Sequence, residues 1–387
     1  MEPDEYNFER NGFEDEDVSG EPSMGQPWNP AKIRITTKNF TLREVVEQID
    51  YNEIDLAPEF QREFVWKRRQ KTRLIESILL GIPLPAFYFN QEEDGSYQVV
   101  DGVQRLSTIH MFMRDLHVLE SIDLEYLVDL NGLTFSELDV GIARRFRSAQ
   151  IVVHVIEPQT PEDIKYDIFN RVNTMGSPLS AQEIRHAMSR APSRAFLKSL
   201  TDLDSFNQAT LFAFWKRSPD MPDGWAPDTQ RMMNRELALR FCAFSYYSQD
   251  LYRSYRSMDT YLVDYLRWVD GRTPGCSSEE LERMRGFFHS AMMNAHLVLG
   301  DYAFRRLSTG SKRRGPINRA VFEAQALALA PFSQGELYPK REKVQRSLFS
   351  LFDDEEYVKS VTVGTGAVFR VDYRLMRTRE AVLRALA

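Results

Sequence analysis

The chain has 387 residues, of which 43% are hydrophobic and 12% aromatic; this is enough apolar material for two packed domains and excludes a wholly disordered chain. Charged residues break every apolar run before it reaches membrane-span length, and the N-terminus is acidic rather than basic. These features exclude a spanning segment and a targeting leader, so a cytoplasmic protein with no membrane partner is expected.

The net charge of −7 is unevenly placed. Residues 1 to 25 hold nine acids and one base, Arg10, and the rest of the chain is close to neutral. Residues 1–30 therefore read as an acidic, disordered tail, and no global positive field argues for nucleic acid. Cys242 and Cys276 have no metal-like spacing and fit a reducing compartment.

In chain order, Ile33 and Ile35 alternate as in a short strand. Thr41 is placed to cap a helix whose apolar face is Val45, Val46 and Ile49. The stretch from Pro58 to Trp66 is dense in aromatics and precedes a basic run, Lys67, Arg68, Arg69, Lys71 and Arg73. Leu74, Ile75, Ile78 and Leu79 then give that run one apolar helical face. A basic first turn opposes the helix dipole, which marks the segment either as a solvated face or as one that meets anions. Gly81, Pro83 and Pro85 end the helix and lead into a hairpin over residues 86 to 101.

The second hairpin strand, Tyr97 to Asp101, runs straight into Gly102-Val103-Gln104-Arg105 and a helical pattern of Leu106, Ile109 and Phe112. A strand, a glycine turn and a helix start present unpaired backbone N–H groups and a partial positive charge, which suits phosphate. Arg105 at the helix mouth adds a guanidinium able to grip a phosphate with two prongs.

Residues 119 to 150 carry little pattern beyond a turn at Asn131-Gly132. Residues 151 to 156 form a β-branched run and predict a buried central strand, with His154 packed within it rather than catalytic. The helical face of Ile164, Ile168 and Val172 ends at a polar break bearing Arg171 and Asn173. Ser180 and Glu183 form a capping box for the next helix. From residue 191 the chain reads as amphipathic helices, among them faces built on Met258, Tyr261, Leu262, Tyr265, Leu266 and Val269, and on Met284, Phe287, Phe288, Ala291 and Met292. Residues 359 to 363 alternate like a strand before a last helix. A loop bearing Lys312, Arg313 and Arg314 is basic but reads as solvated.

Several motifs fall in a fixed order: Gln61-Arg62-x-Phe64-Val65-Trp66, Leu74-Ile75-x-Ser77-Ile78, Gly81-Ile82-Pro83, Asp101-Gly102-x-Gln104-Arg105-Leu106, and Ile168-Phe169-x-x-x-Asn173-Thr174-x-Gly176-x-x-Leu179-Ser180. In these the chain resembles the N-terminal domain family of the GmrSD modification-dependent restriction endonucleases (domain of unknown function 262), within the ParB and sulfiredoxin-like superfamily. The resemblance implies an α+β, ParB-like nucleotide-binding domain over residues 31–190, followed by a mainly helical domain over 191–387. It implies a nucleoside triphosphate as ligand, with magnesium as an accompanying ion. It matches Gly102 to Arg105 to the phosphate turn and Gln61 and Arg62 to a family pair. The family has Gln where this chain has Val103, which removes a polar group from the turn. A sulfiredoxin would carry its catalytic Cys there, so sulfinic-acid reduction is not expected.

Three functions follow as expectations. The first is a nucleotide-binding, NTP-hydrolysing protein of prokaryotic anti-phage, modification-dependent restriction type. Gln61, Arg62, Gly102, Arg105, Arg171 and Asn173 would hold phosphate, and Asp101, Gln104 and Arg105 would serve chemistry. The second is a non-catalytic DNA-binding module using Trp66, Lys67, Arg68 and Arg69. The third is a ParB-like nuclease. His289 and His296 sit seven apart on an apolar helical stretch without an acid between them, so no HNH nuclease domain is expected, and DNA cutting would fall to a partner nuclease. No metal site is expected.

Overall fold

The protein is described from a computed structural model covering residues 32–56, 66–172, 180–218, 224–227, 231–272, 275–307 and 315–387. The chain divides into two compact units, with the boundary between Met188 and Ser189. The N-terminal unit is α+β and the C-terminal unit is mostly helical. Among the described residues no helix is long and apolar enough to cross a membrane.

The N-terminal unit contains strands β1 (Ile35–Thr41), β2 (Ile54–Asp55), β3 (Phe87–Gln91), β4 (Tyr97–Asp101) and β5 (Gln150–Ile156). Its helices are α1 (Leu42–Asp50), α2 (Arg68–Leu79), α3 (Val103–Met113), α4 (Val140–Ser148), α5 (Glu162–Val172) and α6 (Ala181–Met188). The strands form one mixed sheet in the order β1-β5-β3-β4-β2. β3 and β4 form the expected antiparallel hairpin, with an irregularity between Tyr88 and Phe89, whereas β3 and β5 run parallel.

Local chemistry sets the element ends. Thr41 caps α1 by accepting from the Glu44 N–H at 3.2 Å, and Gly81 turns the chain out of α2 at φ 76°. Glu183 and Ser180 make the expected reciprocal cap of α6 at 2.5 and 3.2 Å. One sheet face buries Phe87, Phe89, Val99, Ile151, Val153 and Val155 in a single core with Val45, Ile75, Leu106, Ile109 and Phe112 of the helices. Phe112, Phe135 and Phe146 meet edge-on or tilted with centroids 5.4 to 5.7 Å apart, an arrangement that adds to the burial itself.

β5 is not the buried central strand that its β-branched run predicts. It lies second from the sheet edge, Val152 is 43% exposed, and its neighbour β1 is exposed over most of its length. Helices α5 and α6 pack over β4, so the outer face is covered at that end of the sheet rather than over β1. A continuous apolar run does not distinguish these two cases. His154 is packed as expected: its Nδ1 lies 3.0 Å from Thr37 Oγ1 and its ring 5.0 Å from that of Tyr88.

The C-terminal unit buries its expected faces on helices Met258–Val269 and Ser278–Leu299. The strand expected at 359–363 is absent. Residues Glu355–Ser360 form a helix instead, because the Asp354 side chain accepts from the N–H groups of Glu356 and Tyr357 at 3.0 and 3.3 Å. A short ribbon, Trp215–Arg217 against Trp225–Pro227, has no clear signal in the sequence. Both cysteines are free thiols; burial pushes Cys242 up, and burial together with Glu280 pushes Cys276 up to about 11.

Candidate functional site

The turn between β4 and α3 is built around Gly102. It is the N-cap of α3 with φ 99°, a left-handed conformation that an L side chain rarely adopts. A Cβ there would stand 2.2 Å from Phe87 Cδ1, so the neighbouring strand also excludes any side chain. The helix proceeds normally, with the Leu106 N–H donating to the Gly102 carbonyl at 2.9 Å. The N–H groups of Val103, Gln104 and Arg105 have no acceptor among the described residues, and no side chain caps them. Three free donors at a positive helix end suit an anion.

Arg105 lies beneath that turn. Its Nη2 donates to Asp101 Oδ2 at 2.8 Å and to the Ala86 carbonyl at 3.3 Å, and its Nη1 donates to the Pro85 carbonyl. The guanidinium carbon lies 4.1 Å from the centre of the Phe87 ring. Its side chain is 13% exposed against 37% for Asp101. Burial lowers the Arg105 pKa and Asp101 partly restores it, which leaves a cation held against the turn. Asp101 Oδ1 accepts no hydrogen bond from the described residues. Gln104 Oε1 accepts from the Trp66 N–H at 3.3 Å, tying the turn to the chain just after the Gln61-Arg62 stretch.

The other candidates separate. Gln61, Arg62 and Asn173 lie outside the described residues, as do Lys312, Arg313 and Arg314. Arg171 is exposed in the last turn of α5. Trp66 is half-buried against the core. Arg68 is ion-paired with Asp123 at 3.0 Å and with Glu120, and Arg73 with Glu125. The basic run is thus already compensated in part, while Lys67 and Arg69 remain exposed without a carboxylate partner among the described residues.

Two features were not legible from the sequence. Buried Glu76 accepts from the Glu125, Tyr126 and Leu127 N–H groups at 2.7 to 3.0 Å, so one carboxylate holds a loop some fifty residues away. Asp50 receives His110 Nε2 at 2.9 Å and also Arg114; the Arg114 hydrogen bond, then the His110 one, lowers its pKa against the cost of burial. Among the described residues no three His, Cys, Asp or Glu side chains cluster as metal ligands.

Residues 42–189 match the family model described as GmrSD restriction endonuclease, N-terminal domain. No curated protein and no solved structure matches the chain. The N-terminal unit thus carries a GmrSD-type domain, which suggests a protein of the restriction, anti-phage type.

Proposed function

We propose that the N-terminal unit binds a nucleoside triphosphate, with its phosphates seated on the turn from Asp101 to Arg105. The observation that carries this reading is the set of three unpaired N–H groups at the Gly102-capped start of α3. They would donate to phosphate oxygens as helix N-termini do. Arg105 supplies positive charge from below while it fixes Asp101 and the turn. Gln61, Arg62, Arg171 and Asn173 belong to the matched segment and are assigned to the remaining phosphate contacts.

Magnesium would be held mainly by phosphates and water, with the Asp101 carboxylate as the candidate protein ligand among the described residues, and it would neutralise charge on the phosphates. Gln104 is assigned to orient water, although its Oε1 is already engaged by Trp66. Val103 offers no polar group, so binding is the primary function and hydrolysis the secondary one. In this reading the protein senses nucleotide and DNA state, and a separate nuclease cuts.

Calorimetry with ATP, GTP, CTP and UTP, with and without magnesium, tests it. Saturable binding by the wild type that is lost in Gly102→Ala and weakened in Arg105→Ala is expected. No binding of any nucleotide by the wild type, or equal binding by both variants, would overturn it.

A further inference from the structure

The cations of the N-terminal unit differ in what they face. Arg68, Arg73, Arg105 and Arg114 are each paired with a carboxylate from another element or the adjoining strand, and Arg43 holds Glu47 one turn along its own helix. Arg144, Arg145 and Arg147 on α4 are exposed and have no carboxylate partner among the described residues. The acid nearest them on the chain, Asp139, is used in capping the Gly141 N–H at 2.8 Å.

These arginines sit on a fixed support. α4 buries Ala143 and Phe146 in the core, and the Leu42 N–H donates to the Ala149 carbonyl at 2.9 Å, holding the end of α4 against the start of α1. The Arg147 guanidinium lies 5.0 Å from the centre of the Phe135 ring, which limits its motion. The negative end of the helix offsets part of the mutual repulsion but gives the guanidinium N–H groups no planar acceptor. Arg144 and Arg147 share one helix face and are separated by roughly 4.5 Å of rise. Phosphates recur every ~3.4 Å of axis along one strand of a duplex, a spacing comparable with that rise, so successive phosphates can meet both.

We propose that this face of α4 docks the phosphodiester backbone of a nucleic-acid duplex, through contacts separate from the nucleotide turn. The backbone is favoured over an acidic peptide because a guanidinium fork matches a phosphate at a fixed geometry, and three forks lie within four residues.

The test is binding of a fluorescent DNA duplex to the full chain over a salt series, without nucleotide. Three phosphate contacts add about 2.7 to the slope of log K against log salt, which alone weakens binding roughly 40-fold between 50 and 200 mM. The triple variant Arg144→Gln, Arg145→Gln, Arg147→Gln is expected to lose that share of the slope, and Arg144→Gln alone about a third of it. Lys67→Gln with Arg69→Gln should keep most of the slope. The single variant serves if the triple one does not fold. The proposal is overturned if the wild type binds no duplex at low salt, or if the α4 variants keep the wild-type slope. It is also overturned if a polyglutamate peptide binds the wild type more tightly than the duplex and loses that binding in the α4 variants.

Discussion

The Arg105 guanidinium donates to the Asp101 carboxylate at 2.8 Å, joining the last residue of β4 to the first turn of α3. This contact braces the turn without using its N–H groups, which keep no acceptor among the described residues. Asp101→Asn keeps the shape but removes the charge. Because Asp101 is more than a third exposed, the expected stability loss is small, about 1 kcal/mol or less, by urea denaturation. Nucleotide affinity should become independent of magnesium, which calorimetry reads directly.

Gly102 makes a sharper demand. Alanine there must place a methyl group 2.2 Å from Phe87 Cδ1 at a φ of 99°. A loss of about 2 to 4 kcal/mol is expected from the clash and the left-handed backbone together. The measurement is the urea midpoint of the N-terminal transition, and a midpoint within error of wild type would show that the turn rearranges freely.

Glu76 should be costly to change. With buried Glu76 shortened to alanine, the N–H groups of residues 125 to 127 lose their common acceptor. About 2 to 4 kcal/mol is expected, with faster amide exchange confined to that loop. Uniform acceleration across the unit would assign Glu76 to global packing instead.

What could be read in advance divides by distance along the chain. Thr41, the hairpin, the Gly102 turn and the Ser180–Glu183 cap depend on neighbours a few residues away, so their residue types announced them. Besides Asp101, the partners of Arg105 are Pro85, Ala86 and Phe87, nearly twenty residues back, and no periodicity points to those three. Arg105 therefore also braces the turn, a role that its place at the helix mouth does not announce. The acids that compensate Arg68 and Arg73 lie about fifty residues on, so a run that looks strongly basic in sequence is partly neutral in space. Helix α4 escapes sequence reading for another reason: nine residues with only two buried side chains carry too weak an apolar period.

His117 gives the N-terminal unit a pH dependence. Its Nε2 lies 3.1 Å from Thr72 Oγ1, and burial, then Lys71 and Arg68, lower its pKa. The folded chain therefore binds this proton less readily than the unfolded chain. Stability from this group is fully present above the ordinary histidine value of about 6.5 and declines as pH falls below it. Urea midpoints from pH 8 to 5 should fall in the wild type and fall less in His117→Gln, which keeps a polar partner for Thr72. Parallel profiles would remove His117 as the cause.

In the C-terminal unit Arg374 and Glu323 are both fully buried. Arg374 Nε donates to Glu323 Oε1 at 2.7 Å and Nη1 to the Thr365 carbonyl at 2.6 Å. Arg240 approaches Glu323 Oε2 at 3.6 Å and also bonds Glu236, so one network links helices Met233–Phe244, Arg319–Leu329 and Val368–Leu386. Arg374→Met leaves a buried carboxylate with weaker compensation and should cost about 3 to 5 kcal/mol. Adding Glu323→Gln removes the stranded charge and should recover part of the loss, because desolvating an unpaired ion is the larger penalty. Thermal melts of the two single variants and the double variant measure this coupling. Additive losses would mean that the pair acts as two packed side chains and not as an ion pair.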